Sequence, residues 1–272
     1  MADPVLHFSD PVGPEAAPWL VLGPSLGTST SVWEGVIPLL SDRYRVIAWD
    51  LPGHGGAPAA VAAFSVADLA RSVAAGLRTR GATSVHYAGV SLGGAVGVML
   101  ALNDPGFVDA LVAVASGAKL GDAGAWHHRA AFVRANSTAA MRGPSAERWF
   151  APHTLAHGAE LPQRLLDELG GVDRESYSRC CDALAEYDVR EHLSAIRCPV
   201  LVLWGEHDQV AHRDVASTLH SGLVDGRMIR LSDTGHLPPV EDPKATADEI
   251  GKFLTDVDSA HDHSGDERTT DD

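Results

Sequence analysis

The stretch VHYAGVSLGG, residues 85–94, decides the fold that this sequence predicts. A short apolar run is followed by a G-x-S-x-G pattern centred on Ser91, and an apolar segment, GAVGVMLAL, starts directly after that pattern. This order of strand, turn and helix makes the pattern specific, because the bare pattern arises by chance in a Gly-rich chain. The residues two before and two after the serine of so tight a turn must be small, and Gly89 and Gly93 satisfy that requirement.

The predicted turn lifts Ser91 above the edge of the sheet, at the N-terminus of a helix. Unpaired backbone N–H groups and the helix dipole favour negative charge at such a position. Ser91 is therefore the predicted nucleophile. The N–H of Leu92, the next residue, is the first predicted donor to an oxyanion.

A serine nucleophile needs a base and an acid, which should lie further along the chain. The hydroxyl is weak at neutral pH without a base, and the base needs a third group to hold its tautomer. In chains with this turn the acid follows a late strand and the histidine follows the last one. Asp208 closes VLVLWGEHD and His236 closes MIRLSDTGH, so these residues complete the predicted catalytic triad. Glu206 is the second candidate for the acid, ranked lower because it has less loop with which to reach the imidazole.

Short apolar runs rich in β-branched residues alternate with helix-like segments along most of the chain. This alternation, together with the turn, predicts the α/β-hydrolase fold, a mostly parallel central sheet flanked by helices. The alternation lapses where helix-compatible stretches follow one another, which predicts an inserted helical cap of residues 119–197 between core segments 1–118 and 198–255. The predicted strands are 19–23, 44–49, 84–88, 110–115, 200–204 and 227–231, and the predicted cap helices are 126–141, 161–169 and 174–187.

The composition is that of a globular protein. With 272 residues, 45% of them hydrophobic, the chain can fill a large core, and its formal charge of -15 argues against nucleic acid or an anionic membrane as partner. No apolar run approaches the roughly 20 residues of a membrane span, and no secretion signal is recognisable, so a cytoplasmic location is expected. The 3 cysteines, two of them adjacent, predict reduced thiols. Residues 256–272 are acidic and poor in large apolar residues, which predicts a disordered tail.

Two pairs of histidines and one turn-like segment contain further polar residues outside the predicted triad. His153 and His157 have a spacing that suits metal ligands on a helix, but a neighbouring proline and glycine disfavour that helix, so no metal site is predicted. His127 and His128 fall on a predicted cap helix, where only one of two adjacent side chains can face a pocket. Residues 50–55, DLPGHG, predict a structural turn.

Several motifs make the chain resemble the 3-oxoadipate enol-lactone hydrolases of the β-ketoadipate pathway. The resemblance runs from about Trp19 to Leu254 and rests mainly on the cap, because the triad motifs are shared by a large superfamily and say little about substrate. The shared motifs are SLGTSTSVW (25–33), GVSLGG (89–94), WHHRAAFVR (126–134), ERWF (147–150) and CCDALAEYDVR (180–190).

The resemblance implies an activity and a second oxyanion donor. The implied reaction is hydrolysis of 3-oxoadipate enol-lactone to 3-oxoadipate through an acyl-enzyme on Ser91, without a metal or organic cofactor. Leu26 occupies the place that follows His-Gly in many relatives, so its N–H is the implied second donor. Pro24 and Ser25 stand here where those relatives have His-Gly.

The implied partner is a small anionic lactone, so this acidic protein needs a local cation to hold the carboxylate. Arg129 and, second to it, Arg134 are the candidates on the predicted cap helix. For each of them a solvated position on the outer face is an equal expectation. Trp126 shares a helix face with Arg129, and Trp149 lies in another shared cap motif; both complete the predicted substrate-binding set.

Two other classes of function remain open from the residues. One is a different hydrolase on the same scaffold, such as a carboxylesterase, another lactonase or a carbon-carbon bond hydrolase. The other is a receptor or regulator that keeps the triad but turns over slowly. Neither alternative changes the predicted triad, and the sequence predicts no oligomeric state.

Overall fold

One sheet forms the centre of the structure, a computed structural model that describes residues 3–156 and 160–266. Its strands are β1 (His7–Phe8), β2 (Trp19–Gly23), β3 (Arg45–Asp50), β4 (Val85–Val90), β5 (Val108–Val114), β6 (Val200–Gly205) and β7 (Gly226–Leu231). They lie in the order β1-β3-β2-β4-β5-β6-β7; β1 is antiparallel to β3, and all other pairs are parallel. The predicted strands are confirmed to within 2 residues at each end. β1 was not predicted, because two residues carry no periodic pattern.

Helices flank this sheet, as predicted. They are α1 (Ile37–Leu40), α2 (Val66–Arg78), α3 (Leu92–Asn103), α4 (Ala123–Asn136), α5 (Arg142–Trp149), α6 (Pro152–Ala156), α7 (Glu160–Gly171), α8 (Arg174–Ala185), α9 (Arg213–Gly222), α10 (Pro238–Glu241) and α11 (Pro243–Asp266), with 3-10 turns at Thr30–Trp33, Thr138–Met141 and Arg190–Ala195. Within the described ranges, no helix is both long enough and apolar enough to span a bilayer.

Helix α3 is apolar on all sides and is almost wholly buried, as expected of a helix without a polar face. It packs against β4 and β5, and its small residues allow a close approach. A Cβ on Gly97 would lie 2.6 Å from the ring of Tyr87 on β4. The sequence that follows Ser91 therefore places the start of α3 directly over the central strands.

The helical insertion lies between β5 and β6, and α4 packs along α8 within it. The single helix predicted over 126–141 is in fact two elements. Ser137 has φ 113, a value that a helix cannot accommodate, so α4 ends there and a 3-10 turn follows. Propensity alone did not reveal this break.

Helix α11 continues through Asp266, so the predicted start of a disordered tail at residue 256 is wrong. Val257 is buried in the core. Asp258 accepts hydrogen bonds from the hydroxyl of Tyr44 (3.3 Å) and from Nε2 of His86 (2.9 Å). These contacts hold the acidic helix end on the protein, and only residues 267–272 of the predicted tail lie outside the described residues.

Gly89→Ala is expected to destabilise the protein by on the order of 2–4 kcal/mol, because packed backbone cannot yield to the added methyl group. The new Cβ would lie 2.4 Å from the carbonyl carbon of Gly93. Gly143→Ala is the matched control, since a Cβ on Gly143 meets no atom within 4 Å. It should leave stability unchanged or raise it by up to about 1 kcal/mol. Urea unfolding followed by tryptophan fluorescence measures both, and a wild-type midpoint for Gly89→Ala would contradict the expectation.

Candidate active site

The turn at Ser91 has the strained backbone that its sequence predicts. Ser91 has φ 53 and ψ -114, a conformation that costs a non-glycine residue about 1–3 kcal/mol. A Cβ on Gly93 would lie 2.5 Å from the carbonyl carbon of Gly23, and one on Gly89 would strike Gly93. The requirement for small residues on both sides of the serine is therefore confirmed.

Three hydrogen bonds hold this turn. The N–H of Ser91 donates to the carbonyl of Val114 at 2.9 Å, and the hydroxyl of Ser116 donates to the carbonyl of Ser91 at 2.8 Å. The N–H of Gly93 donates to the carbonyl of Pro24 at 2.9 Å. The turn is thus tied to the ends of β5 and β2, the neighbours of β4 in the sheet.

His236 and Asp208 form a buried pair. Nδ1 of His236 lies 3.1 Å from Oδ1 and 3.0 Å from Oδ2 of Asp208. Oδ1 also accepts from the N–H groups of Val210 (2.7 Å) and Ala211 (3.0 Å), which fix the carboxylate. With Nδ1 donating to the carboxylate, Nε2 is the nitrogen left to act as a base.

Glu206 does not reach the imidazole. Its side chain is exposed, and its two oxygens accept from Arg230 (2.9 Å) and from the N–H of Asp233 (3.3 Å). The geometry therefore supports Asp208 as the acid. This agrees with the sequence prediction, which ranked Asp208 above Glu206 because Glu206 has less loop with which to reach the imidazole.

Strand register brings the predicted triad to one edge of the sheet. Val90 pairs with Val114, and Val114 pairs with Leu203, so the ends of β4, β5 and β6 are level. The loop after β7 then folds over β6, where a Cβ on Gly205 would lie 2.0 Å from the carbonyl oxygen of Gly235. Among the described residues no hydrogen bond joins the Ser91 hydroxyl to His236. The distance between nucleophile and base is often longer than a hydrogen bond in ligand-free enzymes.

The predicted oxyanion donors flank the point where the strand order reverses. The loop after β2 carries Leu26, and the turn after β4 carries Leu92; ligands of open α/β sheets bind beyond the strand ends at such a point. Leu92 is the first residue of α3, so its N–H has no acceptor within the helix. Within the described ranges the N–H of Leu26 likewise makes no hydrogen bond.

His54, which the sequence predicted only as part of a structural turn, clamps the loop that carries Leu26. Its Nδ1 lies 2.9 Å from the carbonyl of Pro52, and its Nε2 accepts from the N–H of Gly27 at 3.2 Å. Burial lowers the pKa of His54 to about 4, so the imidazole is neutral and keeps Nε2 as an acceptor. The nearest sequence signal was the histidine within DLPGHG, but nothing in that motif indicates Gly27 as its partner.

Three of the four predicted substrate-binding residues are buried or half-buried. Trp149 is buried with its indole against Gly27, and Trp126 is buried and donates to the carbonyl of Leu120. Arg129 is half-buried, with its guanidinium 4.7 Å from the centre of the Trp126 ring.

Arg134 is neutralised on the surface. It is exposed and pairs with Glu175 at 2.9 Å and with Asp182 at 2.7 Å. Of the two positions expected for Arg134, the structure has the solvated one on the outer face. His127 and His128 are both exposed, so neither of them takes the one pocket-facing position that two adjacent residues could share.

Arg148, in the ERWF motif, was not among the predicted site residues. It is half-buried, and its pKa is lowered first by burial and then by the charge of Arg129 nearby. The charge of Arg129 also acts on the buried phenol of Tyr177, whose ring stacks on His54 at 6.3 Å. Neither arginine forms an ion pair within the described part of the chain. Arg129 and Arg148 thus lie near each other and near Tyr177, the ring that stacks on His54.

A metal ion has one candidate cluster among the described residues. Glu206, His207 and Asp233 offer ligand atoms within 4.8 Å of one another, but all three are exposed. The Glu206 carboxylate is already engaged by Arg230. His157, considered above with His153, lies outside the described residues.

Comparison with known proteins agrees with this architecture. A family model described as the alpha/beta hydrolase fold matches residues 18–243, so the chain belongs to the α/β-hydrolase fold family. The 3-oxoadipate enol-lactonase 2 of Acinetobacter baylyi is 32% identical over 89% of this chain and 95% of that protein. The crystal structure of the enol-lactonase from Burkholderia xenovorans LB400 has a TM-score of 0.89 at 28% identity, covering 92% of this chain and 96% of that one. A pimeloyl-[acyl-carrier protein] methyl ester esterase of Aeromonas hydrophila is 30% identical over 87% of this chain and 95% of its own length.

Asp208→Asn is expected to lower kcat at least about a thousandfold, because an amide at this position favours the wrong imidazole tautomer. Glu206→Gln should change kcat less than about threefold, because Glu206 bonds only to surface partners. Steady-state hydrolysis of an activated ester by both purified variants makes the comparison. The opposite ranking would assign the acid to Glu206.

Acidification is expected to destabilise the protein partly through His54. Burial lowers its pKa from 6.5 to about 4, so the unfolded chain takes up a proton that the folded protein resists. Neutral His54 makes its full contribution to the free energy of unfolding above pH 6.5. As the pH falls toward 4, that free energy decreases by on the order of 3 kcal/mol.

His54→Gln removes this titration, so its free energy of unfolding should fall less steeply with decreasing pH than that of the wild type. The exposed His128→Gln is the control and should follow the wild-type slope. Urea unfolding at several pH values between 6.5 and 4 measures the slopes. Parallel curves for wild type and His54→Gln would show that His54 does not carry the linkage.

Proposed function

We propose that the protein is a serine hydrolase that opens a small lactone bearing a carboxylate, with 3-oxoadipate enol-lactone as the leading candidate substrate. The observation that carries the proposal is the pair of neighbouring cap arginines, Arg129 and Arg148, which form no ion pair among the described residues of a protein of formal charge -15. The two enol-lactonases described above, which resemble the chain over nearly their full length, support the same choice.

In the proposed acylation step Ser91 attacks the ring carbonyl while Nε2 of His236 takes its proton. Asp208 holds the imidazole and stabilises the imidazolium that forms. In this proposal the N–H groups of Leu26 and Leu92 receive the developing oxyanion. The ring C–O bond breaks readily once the tetrahedral intermediate has formed, because the leaving group is an enolate, which is less basic than an ordinary alkoxide. The imidazolium of His236 gives its proton to the leaving oxygen, so the group leaves as the enol and His236 is neutral again.

Deacylation uses the same groups in reverse order. The opened ring stays attached to Ser91 through its acyl group, and the enol tautomerises to the ketone. His236 then takes a proton from water, the resulting hydroxide attacks the acyl carbonyl, and the proton returns to the Ser91 oxygen as the free acid leaves. Each step uses only residues of this chain and water.

The cap arginines would give the substrate its orientation. A carboxylate that pairs with a guanidinium in a partly closed pocket gains charge-assisted hydrogen bonds in a fixed geometry. The guanidinium of Arg129 already lies against the ring of Trp126, so less side-chain freedom remains to be lost on binding.

An esterase for a neutral or carrier-linked acyl group is the second candidate, favoured by the similarity to the esterase of Aeromonas hydrophila. The values of kcat/KM for synthetic 3-oxoadipate enol-lactone, for the neutral methyl ester of that lactone, and for a neutral aryl ester separate the two. The lactonase proposal requires the anionic lactone to be the best substrate and to sustain many turnovers. A preference for the neutral esters would favour the esterase, and a single turnover followed by arrest would favour a receptor.

Arg129→Met is expected to lower kcat/KM for the anionic lactone by about ten- to a hundredfold, because it removes the charge and keeps most of the bulk. Activity toward the neutral methyl ester should be nearly unchanged. Arg134→Met is the matched control on the same helix and should lose little on either substrate, because its charge serves Glu175 and Asp182. Equal losses on both substrates in Arg129→Met would indicate damaged cap packing instead of a lost ion pair.

A further inference from the structure

Glu241, the last residue of α10, places a partly buried carboxylate between the cap and the loop that carries His236. One oxygen, Oε1, accepts from the N–H of Ala151 and from the hydroxyl of Thr154, both at 2.7 Å. The other oxygen, Oε2, accepts from the N–H of Gly235. Ala151 and Thr154 belong to the insertion, and Gly235 immediately precedes His236. A single side chain therefore joins the two segments.

The same two segments also meet directly. The carbonyl of Trp149 accepts from the N–H of His236 at 2.9 Å and from the N–H of Leu237 at 3.2 Å. A Cβ on Gly235 would lie 2.9 Å from the N–H nitrogen of Ala151 and from the carbonyl oxygen of Trp149. The chain around the catalytic imidazole thus lies against the end of α5, and Glu241 closes the contact from the other side.

A carboxylate is the group that this geometry requires. Burial raises the pKa of Glu241, which is a cost of keeping it there, and within the described ranges no lysine or arginine pairs with it. An amide of the same shape presents one acceptor and one donor, so it must leave either Ala151 or Gly235 facing an NH₂ group. Both backbone N–H groups are satisfied together only by two acceptor oxygens.

We propose that Glu241 is a positioning residue that locks the loop of His236 to the cap, so that the imidazole is aligned with Ser91 when the cap is seated. Glu241 touches neither the substrate nor the reacting atoms in the mechanism above. This role of Glu241 concerns the candidate active site and rests on the serine hydrolase chemistry proposed for it. It does not depend on which lactone or ester is the substrate.

The test measures the reaction of Ser91 with a neutral organophosphate, followed by intact mass, in the full-length protein. This labelling needs the Ser91–His236 pair but not carboxylate recognition, so it remains informative even if the enol-lactone is not the substrate. Wild type must label, and Glu241→Gln should label about tenfold or more slowly at a temperature where circular dichroism shows it folded. A purely structural role would lower the melting temperature and leave the labelling rate of the folded protein unchanged.

Two variants serve as matched controls and should label within about twofold of wild type. Thr154→Val removes one cap donor and leaves both backbone bonds to Glu241, and Asp248→Asn removes an exposed carboxylate from α11. Normal labelling of Glu241→Gln, or an equal loss in Thr154→Val, would overturn the proposal. If Glu241→Gln does not fold, Glu241→Asp decides. It keeps the charge but is one methylene too short to span both segments, and normal labelling there would also overturn the proposal.

Discussion

The close contact of backbone with backbone at the Ser91 turn is the constraint on which the rest of the structure depends. A non-glycine residue holds a positive φ there only because its surroundings leave no alternative. Gly89, Gly93 and Gly23 let the end of β4, the start of α3 and the loop after β2 meet without intervening side chains. Helix α3, which is apolar except for Asn103 at its end, then follows over the central strands and is buried because it has no polar face.

Each group of the candidate site is held by a partner that does not itself react. Backbone N–H groups of Val210 and Ala211 fix Asp208, and a neutral buried His54 fixes the loop of Leu26. The carbonyl of Trp149 accepts from the backbone of His236. Since Trp149 belongs to the insertion, the insertion contributes to the shape of the site. Preorganisation of this kind is the main way in which a fixed polar site accelerates acyl transfer.

Charge is distributed unevenly over an acidic protein. Acidic residues of α8, Glu175 and Asp182, neutralise Arg134 at the surface of the cap. Arg129 and Arg148 have no such partners among the described residues, although they belong to the same cap. Arg129 and Arg148 both lie near Tyr177, whose ring stacks on His54.

Local features of the sequence were enough to predict strands β2 to β7, the turn at Ser91 and the order of its predicted partners, because adjacent residues determine β periodicity and a tight turn. Tertiary contacts decided the rest. The pairing of Arg134 with Asp182 joins residues 48 positions apart, that of His54 with Gly27 joins residues 27 apart, and that of Glu241 with Ala151 joins residues 90 apart. Distant contacts also decide the acidic helix end beyond residue 255, because Tyr44 and His86 hold it on the core. No pattern along the chain specifies such a partner, because the free energy of a buried hydrogen bond or ion pair depends on which distant segment folding brings into reach.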